Sequence, residues 1–331
     1  GPEIADYLSA GSTVVLNIEG LERDLAKYRI HYNTWFREST LHNSGEAKKV
    51  VDMLTEKGYT YELDGALWFK AEQFGCDKDF VLRRSNGFYT YIVPDIAYHY
   101  NKLVTRGFDR AIDILGADHH GYVPRLKGAI QALGVDPSRI EVVLMQMVRL
   151  VRNGETVKLS KRSGKAITLV TLLDEIPIDA ARFYFNLREA NSQFEFDLDL
   201  AVEKSSQNPV FYVQYAHARI CSLMANLAGE GITLPENADL TLLSDTREIE
   251  LIRHLAALPN EIDESAKAYD PARITHYATE LATKFHRFYN AQRVMVDDEA
   301  LMQARLSLCI CVKTVLKNIL TMFSITVPES M

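Results

Sequence analysis

The sequence predicts an α/β domain followed by an all-α helical bundle, and three observations support this fold class. The chain has 331 residues, which exceeds the roughly 250 to 300 residues at which single cores stop growing. Up to about Ile176, short apolar runs alternate with helix-like stretches, a rhythm typical of βαβ units and a parallel sheet. After Asp179 the apolar residues recur at helical spacing, with Pro, Gly and Asn clustered between the segments.

The α/β part is read from strands and turns. We predict, in chain order, a strand at Arg110–Leu115, a helix at Val123–Leu133, a buried strand at Val142–Val151, a hairpin turn at Asn153-Gly154, a return strand at Thr156–Leu159 and a loop at Ser160–Lys165. Asn-Gly is a strong signal for a two-residue hairpin, because both positions tolerate positive φ.

The helical part is read from apolar periodicity. The predicted helices are Asp199–Leu227, Ser244–Ala268, Asp270–Val296 and Asp298–Phe323. In the third of these, Asp270 is a natural N-cap and Pro271 suits the first helical position. One apolar face of this helix should pack into the bundle: Ile274, Tyr277, Leu281, Phe285 and Phe288.

Composition bounds the class of protein. Hydrophobic residues make up 47% and charged residues 24% of the chain, and no apolar run approaches the roughly 20 residues of a membrane span. The formal net charge of −7 argues against a protein that coats nucleic acid indiscriminately, although it allows a local basic face. The chain opens with Gly1-Pro2, which resembles a protease scar, so we expect the natural amino terminus to be absent.

The cysteines give little support for a metal knuckle or a dithiol site. None of the four forms a Cys-x-x-Cys pair: Cys76, Cys221, Cys309 and Cys311. We therefore expect reduced packing residues in a cytoplasmic protein without a dedicated metal site.

The segment Lys158-Leu-Ser-Lys-Arg162 is the most informative stretch for chemistry. Its cations, on a loop kept mobile by Ser160 and Gly164, could close over a triphosphate and neutralise the charge that builds as pyrophosphate leaves. The sequence contains neither a Walker loop nor Gly-x-Gly-x-x-Gly. A solvated surface turn is the alternative, and for a lone basic pentapeptide it is the commoner one.

A second segment, Gly116-Ala-Asp-His-His-Gly-Tyr-Val-Pro-Arg125, follows an apolar strand and precedes a helix. Open parallel sheets bind ligands at this carboxyl edge. Glycine would let the main chain approach a nucleotide, and Asp118 could accept hydrogen bonds from ribose hydroxyls. The pair His119-His120 could be a metal site or two surface histidines; we favour the latter because no third ligand has suitable spacing.

Upstream, Tyr91-Ile-Val-Pro-Asp95 places an aromatic hydroxyl near a carboxylate. A carboxylate of this kind suits a guanidinium, through paired charge-assisted hydrogen bonds. The alternative role of Asp95 is a helix N-cap after Pro94, and the segment alone leaves both open.

These segments together resemble one family. Lys158-Leu-Ser-Lys-Arg162 resembles the Lys-Met-Ser-Lys-Ser signature of class I aminoacyl-tRNA synthetases, and Gly116-Ala-Asp-His-His-Gly with Tyr91-x-x-x-Asp-Ile-Ala-Tyr-His is similar to the arginyl-tRNA synthetases. Asn208–Arg219 and the closing Val327–Met331 resemble that family's tRNA-binding domain and carboxyl terminus. The correspondence runs from about Leu21 to the last residue.

The resemblance implies a domain plan. Residues 1–176 would be a partial Rossmann-like class I catalytic domain, 177–200 a connecting segment that contacts the tRNA stem, and 201–331 a helical anticodon-binding domain. The implied partners are L-arginine, ATP with Mg²⁺ and the tRNA for arginine, and the implied protein is a cytoplasmic monomer.

The resemblance also implies roles for single residues. Tyr91, Asp95 and His119 would bind arginine; Gly116 and Asp118 would bind ATP; Lys158, Ser160 and Lys161 would be catalytic, with both lysines on the phosphates; Tyr212, Tyr215 and Arg219 would bind tRNA. The last three share one helix face at i, i+3 and i+7, where aromatic and arginine side chains can stack on unpaired bases. The alternative for the two tyrosines is a core aromatic pair.

One departure from the family keeps a rival function open. None of the nine histidines forms the His-x-Gly-His element that binds ATP phosphates in class I synthetases. The first interpretation is an arginine–tRNA ligase; the rival is a tRNA-binding protein that cannot form an adenylate. A further prediction concerns a basic face on the third helix of the bundle, formed by Arg273, Lys284 and Arg287.

Overall fold

The computed structural model describes residues 10–157, 167–233 and 237–331. The chain forms two compact units. The α/β unit comprises Tyr32–Met147 with Ala190–Ser192, and the helical unit comprises the chain up to His31, Val148–Glu189 and Gln193–Met331. These compact units do not test the domain boundaries predicted near residues 176 and 200, which stay predictions. Helix α1 (Ala10–Lys27) belongs to the helical unit.

The α/β unit contains two small sheets. Its elements are α2 (Glu38–Asn43), α3 (Glu46–Glu56), β1 (Thr60–Leu63), β2 (Ala66–Phe69), β3 (Phe80–Arg83), α4 (Ile92–Tyr100), β4 (Ala111–Gly116), α5 (Val123–Ala132) and β5 (Ile140–Met145). Strands β1, β2 and β3 form an antiparallel meander, whereas β4 and β5 pair in parallel from Ala111↔Ile140 to Gly116↔Met145. Both sheets of this unit pack on one hydrophobic core, in which Phe69, Leu82 and Ile96 are buried.

The predicted βαβ unit is confirmed as β4, α5 and β5. Pro124 lies in the first turn of α5, where its missing N–H costs nothing. Gly128 lets this helix pack closely, since a Cβ there would lie 3.0 Å from the Cys76 sulfur. The carboxyl end of β4 and the start of α5 therefore lie at the same edge of the β4–β5 sheet.

The single strand predicted at Val142–Val151 is wrong. Strand β5 ends at Met145, and β6 (Val148–Arg152) belongs to another sheet. Between them, the main-chain N–H of Gln146 donates to the carbonyl of Ala190 at 2.8 Å instead of continuing the ladder with β4. An apolar run does not show where a strand loses its partner, and this break is set by tertiary contacts.

The predicted hairpin is confirmed. Strand β6 pairs antiparallel with β7 (Glu155–Thr156), and the turn residues Asn153 and Gly154 have φ of 50° and 77°. Positive φ at both positions is the requirement of a type I′ turn. The end of the predicted return strand, Lys158-Leu159, and the whole predicted loop Ser160–Lys165 lie outside the described residues.

The helical unit combines a small sheet with a helical bundle. Its further elements are α6 (Leu169–Glu175), α7 (Ile178–Tyr184), β8 (Phe194–Asp197), α8 (Leu198–Val202), α9 (Pro209–Gly229), α10 (Thr246–Ala268), α11 (Ala272–Ala291) and α12 (Glu299–Met322). Strand β8 pairs in parallel with β6, which lies between β7 and β8. The five apolar residues predicted on the face of α11 are all buried.

One helix prediction is wrong and one cap lies a residue away from its prediction. The segment predicted as Asp199–Leu227 is two helices, α8 and α9. The Asn208 amide donates to the carbonyls of Ala201 and Glu203, which closes α8 before Pro209 begins α9. Helix α11 begins at Ala272 with Pro271, rather than Asp270, at the N-cap position. The Asp270 carboxylate still accepts from the Ala272 N–H at 3.1 Å.

Candidate functional site

The carboxyl end of β4 carries the first group of predicted site residues. Gly116 is the last residue of β4, and a short 3₁₀ turn, Ala117–His119, follows it. Gly116 has an ordinary φ of −64°, so its freedom of conformation is not required. A Cβ there would lie 2.5 Å from Oδ1 of Asp118, so a larger residue would displace that carboxylate from its present position. The Asp118 side chain itself is 85% exposed and open to a ligand.

Tyr122 gathers the residues predicted to bind arginine. Its hydroxyl donates to Oδ2 of Asp95. The Tyr91 ring stacks on the Tyr122 ring at 5.7 Å, and the His119 ring meets it edge-on at 6.3 Å. We call Tyr91, Asp95, His119 and Tyr122 the aromatic cup. Tyr122 was not predicted as a site residue, although it follows directly on the Gly116–Gly121 segment, because the local sequence does not show where its hydroxyl points.

Asp95 does not cap a helix. Helix α4 begins at Ile92, so Asp95 lies inside its first turn, and its described side-chain partner is a phenol rather than a main-chain N–H. The N-cap alternative is therefore wrong. The bond from Tyr122 occupies Oδ2 and leaves Oδ1 for another donor.

The electrostatics of the cup favour a cation. Burial, and then the hydrogen bond to Asp95 and its charge, raise the pKa of Tyr122 well above the ordinary value of 10.0. The phenol consequently stays protonated and serves as a neutral donor. The aromatic faces of Tyr91 and Tyr122 offer further attraction to a flat cation. A guanidinium fits both features, since it can bond to a carboxylate and stack on a ring.

The predicted lysine loop is the third group of predicted site residues. Lys158, Ser160 and Lys161 lie outside the described residues.

Helices α9 and α11 form the second group of predicted site residues. Tyr212, Tyr215 and Arg219 lie on one face of α9, as their spacing predicts, and they contact His286 of α11. The ring centroids of Tyr212 and Tyr215 lie 4.6 Å and 5.6 Å from that of His286. The Arg219 guanidinium lies 4.2 Å above the Tyr289 ring. These side chains border an open cavity of about 270 Å³.

The structure separates the two tyrosines. Tyr212 is half-buried and packs against the core of the helical unit, as the core alternative proposed, whereas Tyr215 is 39% exposed. Burial, and then the charge of Arg219, lower the pKa of His286 to about 4. His286 is thus a neutral ring near pH 7, and the cavity has one cation, Arg219, beside stacked aromatic faces.

The basic face predicted on α11 is mostly neutralised. Arg273 forms an ion pair with Glu261 at 2.8 Å, and Lys284 pairs with Glu280 at 3.1 Å. Arg287 is exposed. Sequence spacing showed that these cations share a side of the helix, but it could not show the carboxylates placed beside two of them.

Two further features concern metal binding and membrane crossing. Within residues 10–157, 167–233 and 237–331, no three His, Cys, Asp or Glu side chains converge as metal ligands would. No helix in the same ranges is long and apolar enough to cross a membrane. The four cysteines are free, and Cys76 and Cys309 are buried.

Comparison with protein families gives two matches that together cover most of the chain. Residues 21–221 match the catalytic domain of class I tRNA synthetases (R), and residues 213–331 match the DALR anticodon binding domain. A curated arginine–tRNA ligase of Caldanaerobacter subterraneus subsp. tengcongensis is 55% identical over 317 residues, which are 95% of this chain and 56% of that protein. The curated arginine–tRNA ligase of Staphylococcus epidermidis is 44% identical and aligns with 100% of this chain and 61% of its own length. The chain thus spans little more than half of these relatives.

Solved structures agree on the fold. A putative arginyl-tRNA synthetase from Campylobacter jejuni superposes with a TM-score of 0.86 at 31% identity, over 100% of this chain and 70% of that one. The Thermus thermophilus arginyl-tRNA synthetase gives 0.81 at 21% identity, over 93% and 62%. Methionyl-tRNA synthetase from Mycobacterium tuberculosis gives 0.73 at 12% identity, over 95% and 79%, which speaks to the fold alone.

Proposed function

Because this chain belongs to the class I arginyl-tRNA synthetase family, we propose that it acts as an arginine–tRNA ligase. The arginine carboxylate attacks the α-phosphate of ATP, so that pyrophosphate leaves and arginyl-adenylate forms. A ribose hydroxyl at the end of the tRNA then attacks the arginyl carbonyl, and AMP leaves.

The observation that carries this proposal is the aromatic cup at the carboxyl end of β4. Asp95 keeps one oxygen on a neutral phenol, and its other oxygen is the acceptor for the arginine guanidinium. Tyr91, which is 67% exposed, stacks beside it and covers one face of the ligand, while His119 borders the other side of Tyr122. A neutral amino acid side chain would leave a half-buried carboxylate without a cation, which is unfavourable.

ATP binds next to the cup in this proposal. Gly116 and Asp118 stand at the same strand end, where the Asp118 carboxylate accepts from ribose hydroxyls. Mg²⁺ would accompany ATP and neutralise its phosphates.

Lys158 and Lys161, with Ser160, act on the phosphates as pyrophosphate leaves. Lys161→Ala should lower the rate of arginine-dependent pyrophosphate exchange far more than the affinity for ATP, because charge develops in the transition state. Equilibrium dialysis measures ATP affinity alongside the exchange rate. An equal loss in both would contradict the role of Lys161.

The α9 face of Tyr215 and Arg219 is the proposed contact with the anticodon stem-loop, and the neighbouring Tyr212 supports it from the core. Stacking on unpaired bases needs exposed rings, and Tyr215 supplies one. We propose that the protein is a monomer and that it acts in the cytoplasm, where translation takes place.

The proposed function is tested with the chain itself. Calorimetry should show that it binds arginine and not citrulline, the neutral urea analogue, and pyrophosphate exchange should depend on added arginine. The rival, a tRNA-binding protein that cannot form an adenylate, predicts tRNA binding without either response. Absence of arginine binding would overturn the proposed function.

A further inference from the structure

A buried polar network lies behind the aromatic cup within the α/β unit. His99 of α4 is 5% exposed, and it contacts Asp113 of β4. Lys102, in the turn after α4, bonds to the same carboxylate at 3.1 Å and lies 4.3 Å above the Tyr98 ring. None of these three side chains belongs to the cup, yet the network joins the helix that carries Asp95 to the strand that ends at Gly116.

Both ring nitrogens of His99 face acceptors. Nδ1 lies 2.8 Å from the main-chain oxygen of Asp95, and Nε2 lies 2.6 Å from Oδ2 of Asp113. The ring therefore ties the main chain of α4 at Asp95 to strand β4 through its two nitrogens.

The acceptor at Nε2 is an ionised carboxylate. Burial alone would raise the pKa of Asp113, but the hydrogen bond and charge of His99, together with Lys102, outweigh it and hold this pKa below the ordinary value of 3.8. Lys102 can only donate, so Oδ1 of Asp113 is also an acceptor. Asp113 thus lies between Lys102, at Oδ1, and the His99 ring, at Oδ2.

We propose that His99, held between Asp113 and the main chain of α4, positions Asp95 for the arginine guanidinium. One ring nitrogen contacts the carbonyl of the residue whose carboxylate forms the cup, and the other anchors that helix to β4. The role rests on the proposed function, because it is arginine that the positioned carboxylate receives.

Nuclear magnetic resonance tests the network without any ligand. In the chain labelled with ¹³C-tyrosine, the Tyr122 ring carbon bonded to oxygen should shift in His99→Gln, because Asp95 has moved. It should also shift in Asp113→Asn, which keeps the shape of the side chain and removes its charge. His42→Gln is the control, since His42 is an exposed residue paired with Glu38 at 3.6 Å.

Arginine calorimetry on the same proteins tests the positioning role. His99→Gln and Asp113→Asn should each bind arginine roughly tenfold more weakly, while His42→Gln should bind like wild type. An unchanged Tyr122 signal and arginine affinity in both network variants would overturn the inference. If the Tyr122 signal responds in the variants but wild type binds no arginine, the proposed function fails, and the positioning of Asp95 fails as a role in arginine recognition. The network is then a structural contact.

Discussion

At the scale of single residues, Tyr122 decides what Asp95 can do. Asp95 lies inside the first turn of α4 and does not cap that helix. A half-buried carboxylate without a hydrogen-bond partner is energetically unfavourable. The phenol supplies that partner and remains neutral, so the negative charge of Asp95 is kept for a ligand. The sequence motif predicted the carboxylate; only the fold shows the donor that holds it.

His286 makes the helical unit sensitive to acid. Its pKa is lowered from 6.5 to about 4 by burial and by the charge of Arg219. As the pH falls below about 6.5 the unfolded chain takes up a proton, and the folded chain does so only near pH 4. The stability is therefore complete above pH 6.5 and is lost as the pH falls toward 4. Between roughly pH 7 and pH 5 we expect a loss of about 2 kcal/mol in the free energy of unfolding.

Urea unfolding at these two pH values measures this effect. His286→Phe keeps a ring against Tyr212 and Tyr215 but removes the titrating group, so its acid loss should be smaller than that of wild type by about that amount. The exposed His42→Phe is the matched control and should behave like wild type. An acid loss in His286→Phe as large as in wild type would show that other groups cause it.

At the scale of elements, we propose that helix α9 carries one residue for binding and one for packing. Tyr215→Ala should weaken tRNA binding by about 1 to 3 kcal/mol for a stacked base, and it should cost less stability than Tyr212→Ala because the ring is 39% exposed. Tyr212→Ala removes a side chain that packs against the core and should lower stability more. Gel-shift titrations and urea unfolding separate these outcomes.

Salt titration distinguishes stacking from phosphate contacts on the same helix. Arg219→Gln should reduce the slope of log affinity against log salt by about 0.7 to 0.9 if the guanidinium meets a phosphate. Tyr215→Ala should leave that slope nearly unaltered. Normal tRNA affinity in Tyr215→Ala would show that the ring is a bystander.

Element by element, the sequence predicted what local periodicity determines. The βαβ unit, the Asn153-Gly154 hairpin and the buried face of α11 all follow from spacing and turn chemistry. The break at Gln146 and the gap between α8 and α9 do not, because a main-chain bond to Ala190 and the side chain of Asn208 create them. Likewise, the carboxylates that neutralise Arg273 and Lys284 come into reach only in the folded chain.

At the scale of the whole molecule, an acidic chain that binds a polyanion must do so through local surfaces. The net charge of −7 and the ion pairs on α11 leave the α9 face, with Arg219 and exposed Tyr215, as the better candidate. The motifs at the end of β4 and on α9 were both visible in the sequence. The assembly of the aromatic cup was not visible in the sequence, because its contacts join α4 to the segment that precedes α5.

The arginine affinity of Asp95→Asn tests the central claim most directly. The variant keeps the size of the side chain and removes its charge, and exposed Asp109→Asn, whose described contact uses only the main-chain oxygen, is the matched control. Calorimetry should show arginine binding weakened by about 1.5 to 3 kcal/mol, roughly ten- to a hundredfold, in Asp95→Asn alone. The variant should also lose its preference for arginine over citrulline. Unchanged arginine affinity and preference in Asp95→Asn would contradict the assignment of this carboxylate to the guanidinium.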